Sequence, residues 1–387
     1  LEVNIVADEQ IAFVHETFSR IGKVQTMPPE AITARAVRHA DILFIRSVTK
    51  VSAALLRGSR MRIIGTATSG IDHVDTALLR ERGIKLISAP GCNARAVAEY
   101  VLASLVSIAD DEEFKLQGKT IGIIGAGHVG SLVARFCRAM GMKLILNDPP
   151  LAAKSRTKNH RFRPITEIMR NADIISLHVP LTDTGRYATR HMVNDEFFAR
   201  LKKKIILINT SRGAVIDENA LLNARRTGKI SALVLDVWEH EPGISGAVLE
   251  IADIGTPHIA GHSFLGRLRG TAIVYDQLCQ DLSIKKPGDW SPLSLAPVDR
   301  HRTVSVACHA KTEEEAIRQV VHQIYDPGLD DQELRKYLRL ARSEQPRYFK
   351  HLRDSYQLRP EFGEIKIRGR PCSYELLKKI TALGFEH

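Results

Sequence analysis

Three side chains of complementary chemistry fall just after short apolar runs. Arg212 lies in Asn-Thr-Ser-Arg-Gly after residues 205–208, and Glu241 in Asp-Val-Trp-Glu-His-Glu-Pro after 233–235. His258 lies in Pro-His-Ile-Ala-Gly-His after 254–256. The runs are β-branched and read as buried strands, so all three residues are expected at strand carboxyl ends. A guanidinium there can hold a carboxylate through two parallel hydrogen bonds. A carboxylate beside an imidazole fixes its tautomer and favours the protonated ring. Such a histidine can exchange a proton with a hydroxyl or carbonyl oxygen, help worth about 10²–10⁴-fold in rate. Each residue alone has a plain structural explanation; their joint placement suggests a catalytic set.

The element that must position them is residues 118–150, GKTIGIIGAGHVGSLVARFCRAMGMKLILNDPP. A strand at 120–124 runs into Gly125-Ala126-Gly127-His128-Val129-Gly130, a helix is expected over 131–140, and a second strand at 143–147 ends at Asp148. Gly125 permits the tight turn, Gly127 lets a pyrophosphate approach the backbone, and Gly130 lets helix and strand pack closely. The helix N-terminus offers N–H groups and partial positive charge to phosphates. Asp148, at the position of an acid about 20 residues further on, can accept from ribose hydroxyls and would repel a 2′-phosphate. An ordinary glycine turn is the alternative, but strand, turn, helix, strand and acid fall in register. The cofactor expected is NAD rather than NADP, with Lys154, Arg156 and Lys158 as a nearby basic stretch.

Further strands are expected at 2–7, 42–45, 63–66 and 173–177, with helices at 9–21 and 94–109. Strands alternating with helices imply α/β architecture: two doubly wound parallel-sheet domains, whose ligands gather at strand carboxyl ends. Ser47 and Thr68 lie at two such ends, with Arg46 and Lys50 adjacent, a set suited to an anionic substrate; capping of following helices is the other explanation. His178 and Val179 follow the strand at 173–177, and His178 is read as a structural or cofactor-wall residue. After a linker at 285–292, strands at 303–308 and 364–368 with helices between and after them form a small α+β domain. The expected division is 1–93 with 259–285 for substrate, 94–258 for NAD, and 286–387 for dimerisation.

Composition excludes several classes. In 387 residues, 44% hydrophobic and 26% charged, more than one core is expected in an ordinary globular chain. The formal charge of +11 is spread along the chain without a basic tail, which favours anion steering over nucleic-acid binding. The five cysteines are odd in number and lack a CxxC pair. They point away from disulfides and a zinc site and toward a reducing, cytoplasmic setting. The longest apolar run, 100–109, is about half a membrane span, so neither membrane insertion nor export is expected.

INTSRGAVIDENALLNA, GKISALVLDVWEHEP and TPHIAGH together resemble the D-isomer-specific 2-hydroxyacid dehydrogenases. The resemblance implies that Arg212 binds the substrate carboxylate and carbonyl, Glu241 tunes His258, and His258 is the acid–base. It also implies that Asp236 contacts the nicotinamide carboxamide and that Thr210, Ser211 and Gly261 line the cofactor, alongside His128, Val129 and Val179. IRSVTKV, GTATSGIDHVD, APGCNARAVAEYV and NDPP are similar to a narrower branch, closely to about residue 280 and more loosely beyond. That branch implies oxidation of 4-phospho-D-erythronate to the 2-oxo acid on the route to pyridoxal 5′-phosphate, by a homodimer, with Ser47 and Thr68 touching substrate. At the substrate site the branch usually has tyrosine after Ala-Gly; here it is His262, a donor of different reach and charge. Alternatives are another substrate such as 3-phosphoglycerate, or an NAD-sensing corepressor on the same fold.

Overall fold

Short β-branched runs that alternate between two apolar faces become the central strands of parallel sheets, because helices cover both faces. The computed structural model describes residues 3–154, 161–286, 290–296, 302–306, 310, 312–369 and 373–386. Arg156, Lys158, Cys308, Cys372 and the centre of the expected linker lie outside these. The chain packs as two compact units, one of residues 1–93 and 263–300 and another of 94–262 and 301–387.

The first unit holds β1 (Asn4–Asp8), β2 (Lys23–Met27), β3 (Ile42–Ile45), β4 (Ile63–Thr66) and β5 (Lys85–Ser88). All are parallel, in the order β2-β1-β3-β4-β5. Ile42 and Phe44 face one hydrophobic cluster and Leu43 and Ile45 the other, so β3 is buried on both sides. Phe18 stacks on Phe44 at 4.0 Å, and the Phe264–Asp281 helix adds Val274, Tyr275 and Leu278 to that face. The sequence signals miss β2 and β5 because both are edge strands carrying polar residues, which defeats a search for apolar runs. The helix expected over 9–21 shrinks to Val14–Phe18. Asp8 accepts from the Gln10 and Ile11 amides and Phe13 is left-handed at φ 51°, which turns the chain before a helix can start.

The second unit contains β6 (Thr120–Ile124), β7 (Lys143–Asn147), β8 (Ile174–Leu177), β9 (Ile205–Asn209), β10 (Ile230–Leu235) and β11 (Ile254–Gly255). They form one parallel sheet in the order β11-β10-β9-β8-β6-β7. Alternation is again complete: Ile206 and Ile208 face one cluster, Ile205 and Leu207 the other. The register makes the strands end in a row, since Ile124 pairs with Asn147 and Leu177, Asn209 with Leu177 and Leu235, and Leu235 with Gly255. The residues that follow, Asp148, Gly125, His178, Thr210, Asp236 and Thr256, therefore stand along one edge. Strand order reverses between β6 and its two neighbours, the place where such sheets bind ligands.

Of residues 286–387, expected as a separate dimerisation domain, 301–387 gather with this unit and 286–300 with the first, and 259–262, expected with the substrate domain, gather here as well. β12 (Arg302–Ser305) and β13 (Ile365–Arg368) pair in parallel. Val304, Ile317, Phe362, Ile365, Leu376 and Ile380 share a hydrophobic cluster with Val97, Val101, Ile121 and Phe136. Phe362 stacks between Phe136, at 6.3 Å, and Phe385, at 4.5 Å. Below it the Phe362 amide donates to Glu99, whose carboxyl is pushed above the ordinary range by burial and by the neighbouring Glu361. Among the described residues, the buried side chains of this small α+β segment and of the Ala94–Asp111 helix form one continuous core.

Cys92, Cys137 and Cys279 are buried. Among the described residues, no helix is long and apolar enough to cross a membrane. Phe362→Ala should destabilise the second unit by about 3–5 kcal/mol, read from the denaturant midpoint. A loss below about 1 kcal/mol would show that the C-terminal segment does not share this core.

Candidate active site

The turn after β6 has the geometry its glycines imply. Gly125 has φ +90°, and a Cβ there would lie 2.5 Å from the His178 carbonyl oxygen and 3.0 Å from Val179 Cγ1. A Cβ on Gly130 would fall 2.0 Å from the Gly125 carbonyl oxygen. Gly127 differs: a Cβ there would meet nothing within 4 Å, so its missing side chain keeps space open. It caps the His128–Ala139 helix with no side-chain hydrogen bond, leaving the first-turn amides to an incoming anion. The turn fits a dinucleotide pyrophosphate. Asp148 is held beside it, Oδ2 accepting from the Ala126 amide and Oδ1 from Leu151, both at 2.9 Å. Each oxygen keeps acceptor capacity for a ribose hydroxyl.

His178 bonds Ser176 Oγ through Nε2 at 2.8 Å and Thr210 Oγ1 through Nδ1 at 3.3 Å. Burial pushes its pKa down to about 3, so it is a neutral strut between β8 and β9. That suits a wall better than a proton carrier.

Arg212 reaches its place through the turn after β9. Buried Asn209 shapes that turn, its Oδ1 accepting from the Ser211 amide and hydroxyl and its Nδ2 donating to the Arg212 carbonyl. A Cβ on Gly213 would lie 1.9 Å from the Trp238 carbonyl carbon, so only glycine lets the turns after β9 and β10 touch. Trp238, 3% exposed, donates Nε1–H to the Thr256 carbonyl at 3.0 Å and ties in the loop after β11. Sequence reasoning assigns no role to Gly213 or Trp238, although both stand within its motifs. The signal was there: a buried indole must place its N–H, and a glycine between functional loops often marks backbone contact.

Glu241 and His258 meet directly. Glu241 Oε1 accepts from the Trp238 amide at 3.0 Å, and Oε2 lies 2.8 Å from His258 Nδ1. Burial would raise the Glu241 pKa, but the His258 charge and hydrogen bond, then Arg353 and the Trp238 amide, outweigh it and hold the carboxyl below the usual range. With Nδ1 facing a carboxylate, Nε2 is the nitrogen left to exchange a proton with a substrate. His258 is left-handed at φ +60°, a strained conformation for a non-glycine residue.

Asp236 braces that strained loop. It is 1% exposed, and its Oδ1 accepts from Thr256 Oγ1 and the Ile259 amide, both at 2.7 Å, while Oδ2 accepts from the Ala260 amide at 3.0 Å. Since Thr256 donates to Asp236, Tyr100 must donate to Thr256 across their 2.7 Å contact. Gly261 follows this loop. The His262 ring lies 5.8 Å, centroid to centroid, from that of Tyr356 in the C-terminal segment.

In the other unit, Ser47 follows β3 half-buried, and Thr68 follows β4. Thr68 donates to the Gly70 carbonyl at 2.8 Å, so Thr66 donates to Thr68 and His73 Nε2 donates to Thr66. Thr68 therefore holds its own loop and keeps one lone pair for a ligand. Arg46 donates to Gln10 at 2.8 Å. Among the described residues, Glu218, Glu239 and His240 place ligand atoms within 4.8 Å of one another, but Glu218 is engaged by the Glu239 amide at 3.3 Å.

A pH test follows from the Glu241–His258 pair. The folded pKa of Glu241 lies below its ordinary 4.5, so its stabilising contribution is present above that value and lost as pH falls through the lowered one. The stability difference between the protein and Glu241→Gln should therefore shrink once pH drops below 4.5, measured by denaturant titration at a series of pH values. A difference that stays constant far into acid would show that the carboxylate charge contributes nothing.

Comparison with known proteins agrees with this geometry. Residues 96–260 match the family described as D-isomer specific 2-hydroxyacid dehydrogenase, NAD binding domain, and residues 298–384 match a domain of unknown function. The erythronate-4-phosphate dehydrogenases of Yersinia pestis (strain Pestoides F) and Yersinia pseudotuberculosis (serotype O:3, strain YPIII) are each 42% identical over 366 residues, 95% of both chains. D-lactate dehydrogenase from Aquifex aeolicus, solved with NAD and lactic acid, superposes with a TM-score of 0.59 at 26% identity, over 72% of this chain and 95% of that one. The NAD-bound 3-phosphoglycerate dehydrogenase of Entamoeba histolytica shares the fold, with a TM-score of 0.62 at 23% identity, over 73% and 96%. The chain thus belongs to the D-isomer specific 2-hydroxyacid dehydrogenase family, in the group that includes the erythronate-4-phosphate dehydrogenases.

Proposed function

We propose that the protein oxidises 4-phospho-D-erythronate at C2 to 3-hydroxy-2-oxo-4-phosphobutanoate, with NAD as oxidant, in pyridoxal 5′-phosphate biosynthesis. The observation that carries this is the 42% identity with erythronate-4-phosphate dehydrogenases over 95% of the chain, together with a His258–Glu241 pair at 2.8 Å. NAD, when bound, supplies the acceptor for the C2 hydride. Gly125, Gly127, His128, Val129 and Gly130 would hold its pyrophosphate and Asp148 its ribose. Val179, Thr210, Ser211, Asp236 and Gly261 would lie along its nicotinamide half.

The chain's own residues then divide the remaining work. Arg212 takes the substrate carboxylate and keeps C2 oriented. His258 Nε2 accepts the C2 hydroxyl proton as the carbonyl forms, and Glu241 stabilises the resulting imidazolium through Nδ1–H. Running in reverse, the same proton returns to the carbonyl oxygen. Ser47, Thr68 and His262 are assigned to the substrate on the family likeness alone, and the net charge of +11 favours arrival of a phosphorylated acid. We also infer a cytoplasmic homodimer, on the strength of the family likeness.

Absorbance at 340 nm tests the substrate, with 4-phospho-D-erythronate beside 3-phosphoglycerate and D-lactate. Selective turnover of the first is expected; turnover of another acid alone would keep the mechanism and discard the substrate. His258→Ala should lower kcat by at least about 10²-fold with NADH affinity nearly intact, and unchanged turnover would remove it as the acid–base. Asp148→Ala should weaken NAD and narrow its advantage over NADP; an unaltered NAD-to-NADP ratio of kcat/KM would contradict the ribose role.

A further inference from the structure

Arg359 is a buried cation that the mechanism above does not use. It lies between the Gln345–Asp354 helix and β13, inside the segment matching a domain of unknown function, and is 6% exposed. Its Nη1 donates to the Ile259 carbonyl at 3.1 Å, and its Nη2 donates to the Ala96 carbonyl at 3.0 Å and to the Ala260 carbonyl. Its Cζ sits 4.3 Å from the centroid of the Tyr325 ring, a cation–π contact that sets the guanidinium plane. A planar fork can reach several carbonyls at once, which a single ammonium cannot.

Two of those carbonyls belong to the loop that carries His258. The Ile259–Ala260 peptide has its N–H on the Asp236 carboxylate and its C=O on Arg359. One peptide group is thus held from opposite sides by opposite charges, and each hydrogen bond polarises the other. The Ile259 amide, joined directly to His258, is bound to Asp236 as well. Without such bracing a residue at φ +60° would relax toward an ordinary conformation and carry its imidazole away from Glu241. The same C-terminal segment reaches the site twice more: Arg353 lies 3.8 Å from Glu241 Oε2, and Asp331 accepts from the Gly255 amide at 2.8 Å.

We propose that Arg359 is a positioning residue: together with Asp236 it clamps the Ile259–Ala260 peptide and so holds His258 in line with Glu241. The unassigned C-terminal segment thereby supplies part of the catalytic apparatus of its own chain. This rests on the acid–base role given to His258 above.

Amide exchange by mass spectrometry on the full chain, with Arg359→Lys and Arg359→Met, separates the two ideas. In the unaltered protein the Ile259 and Ala260 amides should be as protected as those of β10; rapid exchange there would overturn the clamp without any variant. In Arg359→Lys, exchange of the 257–262 peptide should rise at least about tenfold while β9 and β10 stay unchanged. kcat should fall by at least about tenfold, with KM and NADH affinity within about threefold. Arg359→Met should show the same pattern more strongly. Unchanged exchange at 257–262, or a rise spread evenly over the unit, would overturn the proposal. Accelerated local exchange with unaltered kcat would also do so. If the unaltered protein turns over none of the acids tested, the substrate assignment fails, and the exchange experiment still decides the clamp.

Discussion

The carboxylate of Asp236, at the end of β10 and almost wholly excluded from water, is the interaction on which the geometry around it depends. Burial pushes its pKa up, and the His258 charge and hydrogen bonds from Thr256, Ile259 and Ala260 oppose that shift. A buried carboxylate left unpaired is costly, so the loop after β11 must wrap around it to present those donors. The wrapping forces His258 into the left-handed region. It also orders the chain Tyr100 to Thr256 to Asp236, linking the long apolar helix to the site by directed hydrogen bonds.

Close backbone approach is the second constraint. Gly125 and Gly130 let the first turn pass under its own helix, and Gly213 lets the Arg212 turn press on the Trp238–Glu239 peptide. These glycines bring polar groups from four different strands within reach without inserting side chains between them. Parallel strands, buried on both faces, leave their carboxyl ends as the place where polar residues can collect. The register of the six-stranded sheet then sets these ends side by side.

Electrostatically the site pairs a neutral histidine with one that faces a carboxylate. His178 is desolvated between Ser176 and Thr210 and stays neutral at physiological pH. His258 faces Glu241, whose carboxylate is kept ionised. The two imidazoles differ in role because their partners differ: hydroxyls for one, a carboxylate for the other. The C-terminal segment adds positive charge at Arg353 and Arg359 on the same side, an arrangement invisible in the spacing of any motif.

Much was legible in the sequence because it was local. The strands at 42–45, 63–66, 120–124 and 143–147 match their apolar runs, since a strand buried on both faces needs little besides consecutive apolar residues. The glycine turn and the placement of Arg212, Glu241 and His258 after strands were readable for the same reason. Edge strands β2 and β5 were not, because half-exposed strands mix polar and apolar residues without a sharp period. Left-handed His258, the Gly213–Trp238 contact and the Asp236–Arg359 grip on one peptide were not legible either. Nor was the merging of 301–387 with the nucleotide-binding unit. Arg359 and Ala260 are 99 residues apart, and only chain folding brings them together. Local residue order sets the buried central strands, the glycine turn and the chemistry at the strand ends. The tertiary structure alone decided how those ends are held, because long-range packing and the pairing of buried charges have no signature in local spacing.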